Sequence, residues 1–163
     1  MKIKRVEHIA IARDSRAHLL RKVGYALLHR PSWKLVRDRA TNQRRVHGAA
    51  EPLARVLGLP EALVRSRLHH VEHHRAHLAS AFLVSPWEEA AVCAIDGFGD
   101  FVSTSWGIGT GRRLRIDGRV HFPHSLGMFY LALTQYLGFL RYGDEFKVMG
   151  LAAYGTPDFA ERL

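Results

Sequence analysis

Five histidines crowd into the nine positions from His69 to His77, and the chain then runs into an apolar strand that ends on an acid. The stretch Val71–Asp100, VEHHRAHLASAFLVSPWEEAAVCAIDGFGD, therefore constrains the rest. Placed on one helix, His73 and His77 have i,i+4 spacing, so both rings lie on one face and can share a cation. A loop at Ser85-Pro86 leads to a strand at Ala90–Ile95, and Asp96 stands at its carboxyl end, where open α/β sheets place their chemistry. Two imidazoles and a carboxylate make an open site suited to zinc, iron(II) or manganese. The same histidines also form an ordinary helical stripe, and spacing alone leaves both readings open. His74 lies about 100° round the helix from His73, which points it at backbone or substrate and away from the same ion.

Elsewhere the pattern alternates short helices and strands. Arg5–Ala12 reads as a strand, and Asp14 or Ser15 can cap a helix over Arg16–Leu28. A basic helix is expected at Lys34–Val46, a short one at Glu51–Leu57 closed by Gly58, and another from Pro60 to Arg67. His69–Glu72 can form a short strand. After Asp96, Phe101–Ile108 reads as a strand, Gly109–Gly111 as a turn, and Asp117-Gly118 as a two-residue hairpin between Arg113–Ile116 and Arg119–Phe122. Ser125 caps a helix that ends near Gly138 and is apolar on nearly every side, so burial between layers is expected.

Charge is unevenly spread. Of the net +9, residues 1–70 supply 16 Lys/Arg against 5 Asp/Glu, while residues 71–163 are slightly acidic. The arginines sit among Leu, Val and Ala at helical spacing without aromatic platforms for bases, so they read as a solvated helical face and not as a nucleic-acid surface. No apolar run approaches the roughly 18 residues of a membrane span, and Met1–Ser15 lacks a secretory core. One cysteine, Cys93, excludes an internal disulfide and reads as an inert core residue. A cytoplasmic location follows as the expectation.

The segments HHRAHLASAF and AIDGFGDF, followed at Gly143–Gly155 by GDEFKVMGLAAYG, resemble the amino-terminal domain of the O-carbamoyltransferases, the group that contains nodulation-factor and antibiotic carbamoyltransferases. The resemblance runs from about Val71 to Gly155 and is thinner over the first sixty residues. It implies an α/β fold of the actin-like, ribonuclease-H type, a mixed sheet with flanking helices that holds a nucleotide and a metal. Residues 1–163 would then be a fragment of that domain. The resemblance calls for an earlier phosphate-binding turn, a second lobe and a YrdC-like domain as the remainder of the same polypeptide.

The resemblance also implies roles. His73, His77 and Asp96 would hold a divalent ion, iron(II) or zinc. Gly97 and Gly99 would bring backbone amides to nucleotide phosphates, and Lys147 would supply a phosphate cation positioned by Asp144, with Gly150 allowing close packing. The reaction would use ATP and carbamoyl phosphate to make carbamoyl-adenylate, then pass the carbamoyl group to a hydroxyl of a small-molecule acceptor, with His74 taking its proton. Two positions depart from the family pattern: Asp100 replaces an expected glutamate and Ala153 an expected proline. The alternatives are a threonylcarbamoyl transferase acting on tRNA, and a non-catalytic remnant that binds metal or nucleic acid.

Overall fold

The apolar run after Pro86 becomes the first strand of an antiparallel meander, and that meander carries the rest. A computed structural model of the chain describes residues 6–30, 48–158 and 160–162, with Ser32 and Arg37. All but Arg37 of the expected helix at Lys34–Val46 lies outside the described residues. In chain order the elements are β1 (Ile9–Ile11), α1 (Leu19–His29), α2 (Ala50–Leu57), α3 (Glu61–Arg67), β2 (Leu68–His70), α4 (His73–Phe82), β3 (Glu89–Gly99), β4 (Val102–Thr110), β5 (Arg113–His121), α5 (Leu126–Tyr136) and α6 (Glu145–Ala152), then a 3₁₀ turn at Ala160–Arg162.

The fold is mixed α/β, but the strands form two sheets and not one. β1 and β2 pair in parallel, Ile9 opposite Leu68 and Ile11 opposite His70. The second sheet is antiparallel in the order β3-β4-β5. α4 lies on that sheet, with Leu78 and Phe82 packed on Val92 and flanked by Ala90, Ala94, Leu114 and Ile116. A smaller core joins Ala50, Ala54 and Val64 to Ile9 and Leu68 under the parallel pair.

Several expectations are corrected by local chemistry. Asp117-Gly118 is not a hairpin turn, because β5 runs straight through it. Gly107 pairs with Ile116 and Trp106 with Gly118, so Asp117 is the extra residue of a bulge. Its carboxylate is held by Arg115 at 2.8 Å, and a side chain at position 118 would collide with the Trp106 ring. Cys93 is exposed, not buried: strand alternation turns Val92 inward and Cys93 outward, opposite Trp106. α5 is not sandwiched either. It buries Thr134 and leans on β3, while Leu126, Phe129, Tyr136 and Leu137 stay exposed. α1 begins later than expected, because the Asp14 carboxylate accepts from Arg16 N–H and turns the chain before the helix. Among the described residues, no helix is long and apolar enough to cross a membrane.

The two-residue turn between β3 and β4 holds the sheets together. Asp100 and Phe101 both have positive φ, 50° and 77°, as a tight hairpin of primed type requires. The Asp100 side chain, in a residue only 8% exposed, accepts from the backbone N–H of Asp14 (2.7 Å) and of His73 (3.0 Å). Asp100→Ala removes both bonds and strands two amides. It should lower unfolding free energy by about 2–4 kcal/mol, read from the urea midpoint. Asp100→Asn should lose less, since asparagine tolerates positive φ and keeps one acceptor oxygen. A midpoint for Asp100→Ala within about 0.5 kcal/mol of the parent would show that this carboxylate ties nothing together.

Candidate metal centre

α4 presents its histidines from a firmly held amino terminus. Glu72 caps the helix, accepting from His74 N–H (3.1 Å) and Arg75 N–H (2.9 Å), while Asp100 takes the His73 N–H. The strand that His69–Glu72 can form takes Leu68–His70 instead, and Glu72 caps the helix, a role that the sequence pattern does not reveal. One turn apart, the rings of His73 and His77 stand edge to face, 4.5 Å between centroids.

β3 delivers the third group. Asp96 Oδ2 lies 2.8 Å from His73 Nε2 and 3.8 Å from His77 Nε2, and the two Nε2 atoms are 3.0 Å apart. Donor atoms on a tetrahedral ion with bonds of about 2.1 Å lie about 3.4 Å from one another. The three observed separations bracket that value, so the residues fit a small divalent ion. His73 Nδ1 lies 3.2 Å from the Ala12 carbonyl; the ring gives its Nε2–H to Asp96, and an Nδ1–H donated to Ala12 would turn the Nε2 lone pair toward an ion instead. Burial raises the Asp96 carboxyl, but the hydrogen bonds from His73 and the Gly97 N–H outweigh it and hold it below the usual range. The group is therefore an anion at neutral pH. The His77 side chain is 50% exposed and Asp96 41%, which leaves one side open to further ligands.

Two supports fix Asp96 from below. The Ser125 hydroxyl donates to the carbonyls of Gly97 (2.7 Å) and Asp96 (3.1 Å) while accepting from Met128 N–H. Gly127 then lets α5 touch the strand backbone directly, since a Cβ there would sit 2.6 Å from Gly97 N and 2.7 Å from the Asp96 carbonyl carbon. Gly99 does the same for the imidazole, as a Cβ at that position would fall 1.9 Å from His73 Cδ2. Ser125 was legible as a cap; its grip on Asp96 and the part played by Gly127 were not.

Of the remaining candidates, Gly97 and Gly99 support the trio, and the others are engaged elsewhere. Gly97 N–H donates to its neighbour's Asp96 Oδ1 at 2.6 Å, and Gly99 makes room for His73. His74 is fully buried, with Nε2–H donating to the Val102 carbonyl at 3.1 Å and Nδ1 without a partner. Burial lowers its pKa and keeps it neutral, and the ring anchors α4 to β4. Lys147 pairs with Asp144 at 2.6 Å and lies near the rings of Phe139 and Phe146. That ammonium holds the Asp144 carboxyl below its usual range, and Asp144 Oδ2 also accepts from Arg141 N–H. Gly150 falls inside α6, whose packing partner is α5.

Comparison with known proteins adds an independent finding. Residues 33–163 match the family model described as the carbamoyltransferase N-terminus. The chain is 49% identical over 92 residues to an uncharacterized protein of Synechocystis, covering 56% of this chain and 15% of that protein. It is 49% identical over 90 residues to nodulation protein NolO of Bradyrhizobium diazoefficiens, 54% of this chain and 16% of the relative. With nodulation protein NolNO of Sinorhizobium fredii the identity is 42% over 92 residues, 56% of this chain and 13% of the relative. The chain thus spans a small part of the length of the curated relatives it matches.

Co2+ added to the chain should give the visible absorption of a low-coordinate nitrogen–oxygen site. Alanine at His73, His77 or Asp96 should abolish it. Gly127→Ala, which pushes on the Asp96 backbone and leaves every ligand side chain chemically unchanged, should weaken Co2+ binding by about 10- to 100-fold. Undiminished binding by His77→Ala would remove the trio from consideration.

Proposed function

The chain belongs to the carbamoyltransferase amino-terminal family, and from that premise we propose that it carries the metal-holding part of an ATP-dependent carbamoyl transfer to a hydroxyl group. The observation that supports this reading is the convergence of His73, His77 and Asp96 within the family-matched segment, their ligand atoms within 4.8 Å of one another. On this reading the two sheets belong to an actin-like, ribonuclease-H-type domain.

Carbamoyl phosphate and ATP are the substrates proposed, and carbamoyl-adenylate the activated form. In the transfer, the acceptor oxygen bonds to the carbamoyl carbon and the bond from that carbon to the phosphate oxygen of AMP breaks. AMP leaves with the electron pair, and the hydroxyl proton passes to base or water. An ion held by His73, His77 and Asp96 would supply Lewis-acid polarisation of the carbamoyl or phosphate oxygen. Around it, the chain's own residues do the positioning. Ala12 and Asp100 orient His73, and Ser125 and Gly127 hold Asp96 at the open face. His74 does not serve as the base in this proposal, because its ring is sealed against β4. Lys147 is proposed to exchange Asp144 for a nucleotide phosphate, a trade of one anion for another at the same ammonium.

Two experiments test this. In the first, the matching 90-residue segment of the Bradyrhizobium NolO is replaced by that of this chain. ATP-dependent incorporation of labelled carbamoyl from carbamoyl phosphate into a sugar acceptor should survive the exchange, and Asp96→Asn should then abolish it. Survival with Asp96→Asn intact would detach the trio from the reaction. In the second, Lys147→Ala in the same chimera should weaken ATP binding by about 10- to 150-fold in calorimetry with little loss of stability. Unchanged affinity would leave Lys147 as a partner of Asp144 alone.

A further inference from the structure

A second cluster of imidazoles and a carboxylate lies where α1, the end of β5 and the start of α4 meet. His18, with φ of 57° just before α1, sets its ring edge-on to His121, 5.2 Å between centroids. Glu72 Oε1 is 3.9 Å from His18 Nε2. The residue types match those of the metal trio, but the surroundings are opposite. Arg119 stands two positions before His121 on β5, hence on the same side of the strand. Arg21 follows His18 into the first turn of α1, which contains no acid and has no side-chain cap. Burial lowers the pKa of both imidazoles, and the nearby arginines lower them further: Arg119 for His18, and Arg21 and Arg119 for His121. Lys22 adds to the same field, against Glu72 and Asp100. A divalent cation has no place among these charges.

Donor and acceptor accounting points the same way. Arg119 Nε, an obligate donor, is buried with no acceptor, and His18 Nε2 is buried with no hydrogen-bond partner. Of the two carboxylates whose charge reaches His18, Glu72 has its oxygens on the amides of His74 and Arg75, and Asp100 Oδ2 takes those of Asp14 and His73. The cluster therefore offers N–H groups and positive charge, and none of its acceptors meets Arg119 Nε. We propose that His18, Arg21, Arg119 and His121 form a binding site for a phosphate-class oxyanion. Two guanidinium groups favour a dianion, and neutral imidazoles can each turn an N–H toward it. The inference uses none of the metal ligands and does not depend on the transfer reaction. Glu72 is the shared element, which caps the helix bearing His73 and borders His18.

The test uses the whole chain, stripped of metal, with inorganic phosphate as the probe. Imidazole proton–nitrogen spectra should show the His18 and His121 resonances moving saturably with phosphate, against chloride at equal ionic strength. AMP in a parallel titration separates a free phosphate from a phosphate ester as the ligand, since tighter binding identifies the source. Arg119→Gln should weaken phosphate by about 10-fold or more, and Arg21→Gln, an exposed change, should do likewise while leaving the fold intact. Arg112→Gln, in the exposed turn between β4 and β5, should change nothing. No saturable shift, or a shift that both Arg119→Gln and Arg21→Gln leave unaltered, overturns the proposal and assigns water to the buried donors.

Discussion

A single carboxylate oxygen, Asp100 Oδ2, holds together segments that are 27 and 86 residues away in sequence. It sits in the tight turn between β3 and β4 and accepts from the amides that open α4 and follow β1. Among the described residues no ladder hydrogen bond links the parallel pair to the antiparallel meander, so side-chain contacts make the junction, this carboxylate and the His73 ring among them. That ring spans the same gap, with Nδ1 on the Ala12 carbonyl and Nε2 on Asp96. A buried charged acceptor serving two amides has few substitutes, because either amide left alone costs about as much as the bond is worth. The geometry of the candidate metal centre is therefore inherited from a turn residue that touches none of its ligand atoms.

What the sequence made legible was periodic or local. Helical spacing places His73 and His77 together, the apolar strand leads to Asp96 although β3 runs on to Gly99 and the turn falls at Asp100-Phe101, and Ser125 and Gly58 punctuate helices as their chemistry dictates. What it hid depends on partners distant in sequence. Asp117-Gly118 has the composition of a turn, yet the Trp106 ring needs the missing Cβ of Gly118, and tertiary contact overrode the local signal. Glu72 and Asp100 act through backbone amides, which no side-chain pattern advertises. The apolar helix α5 read as buried because composition reports what a helix can pack against, not what is present beside it.

The two histidine clusters show how surroundings set chemistry for the same residue types. At His73 and His77 the nearest charge is an ionised carboxylate with a lone pair free to share, so a cation completes the set. At His18 and His121 the nearby carboxylates are engaged by backbone amides, arginines supply the positive field, and Arg119 Nε has no acceptor. Glu72 links the two: it fixes the helix that aims one pair and borders the other. Family membership bears on the first cluster through the proposed transfer, while the second follows from donor accounting alone.

The central claim is that the junction built on Asp100 brings His73, His77 and Asp96 to one ion. Crystals of the chain grown with Zn2+ and measured on both sides of the zinc absorption edge test it without reference to any reaction. The account predicts one anomalous peak within about 2.0–2.2 Å of His73 Nε2, His77 Nε2 and an Asp96 oxygen, with His73 Nδ1 still on the Ala12 carbonyl. A peak on other histidines, or no peak with His73 hydrogen-bonded directly to Asp96, would contradict it.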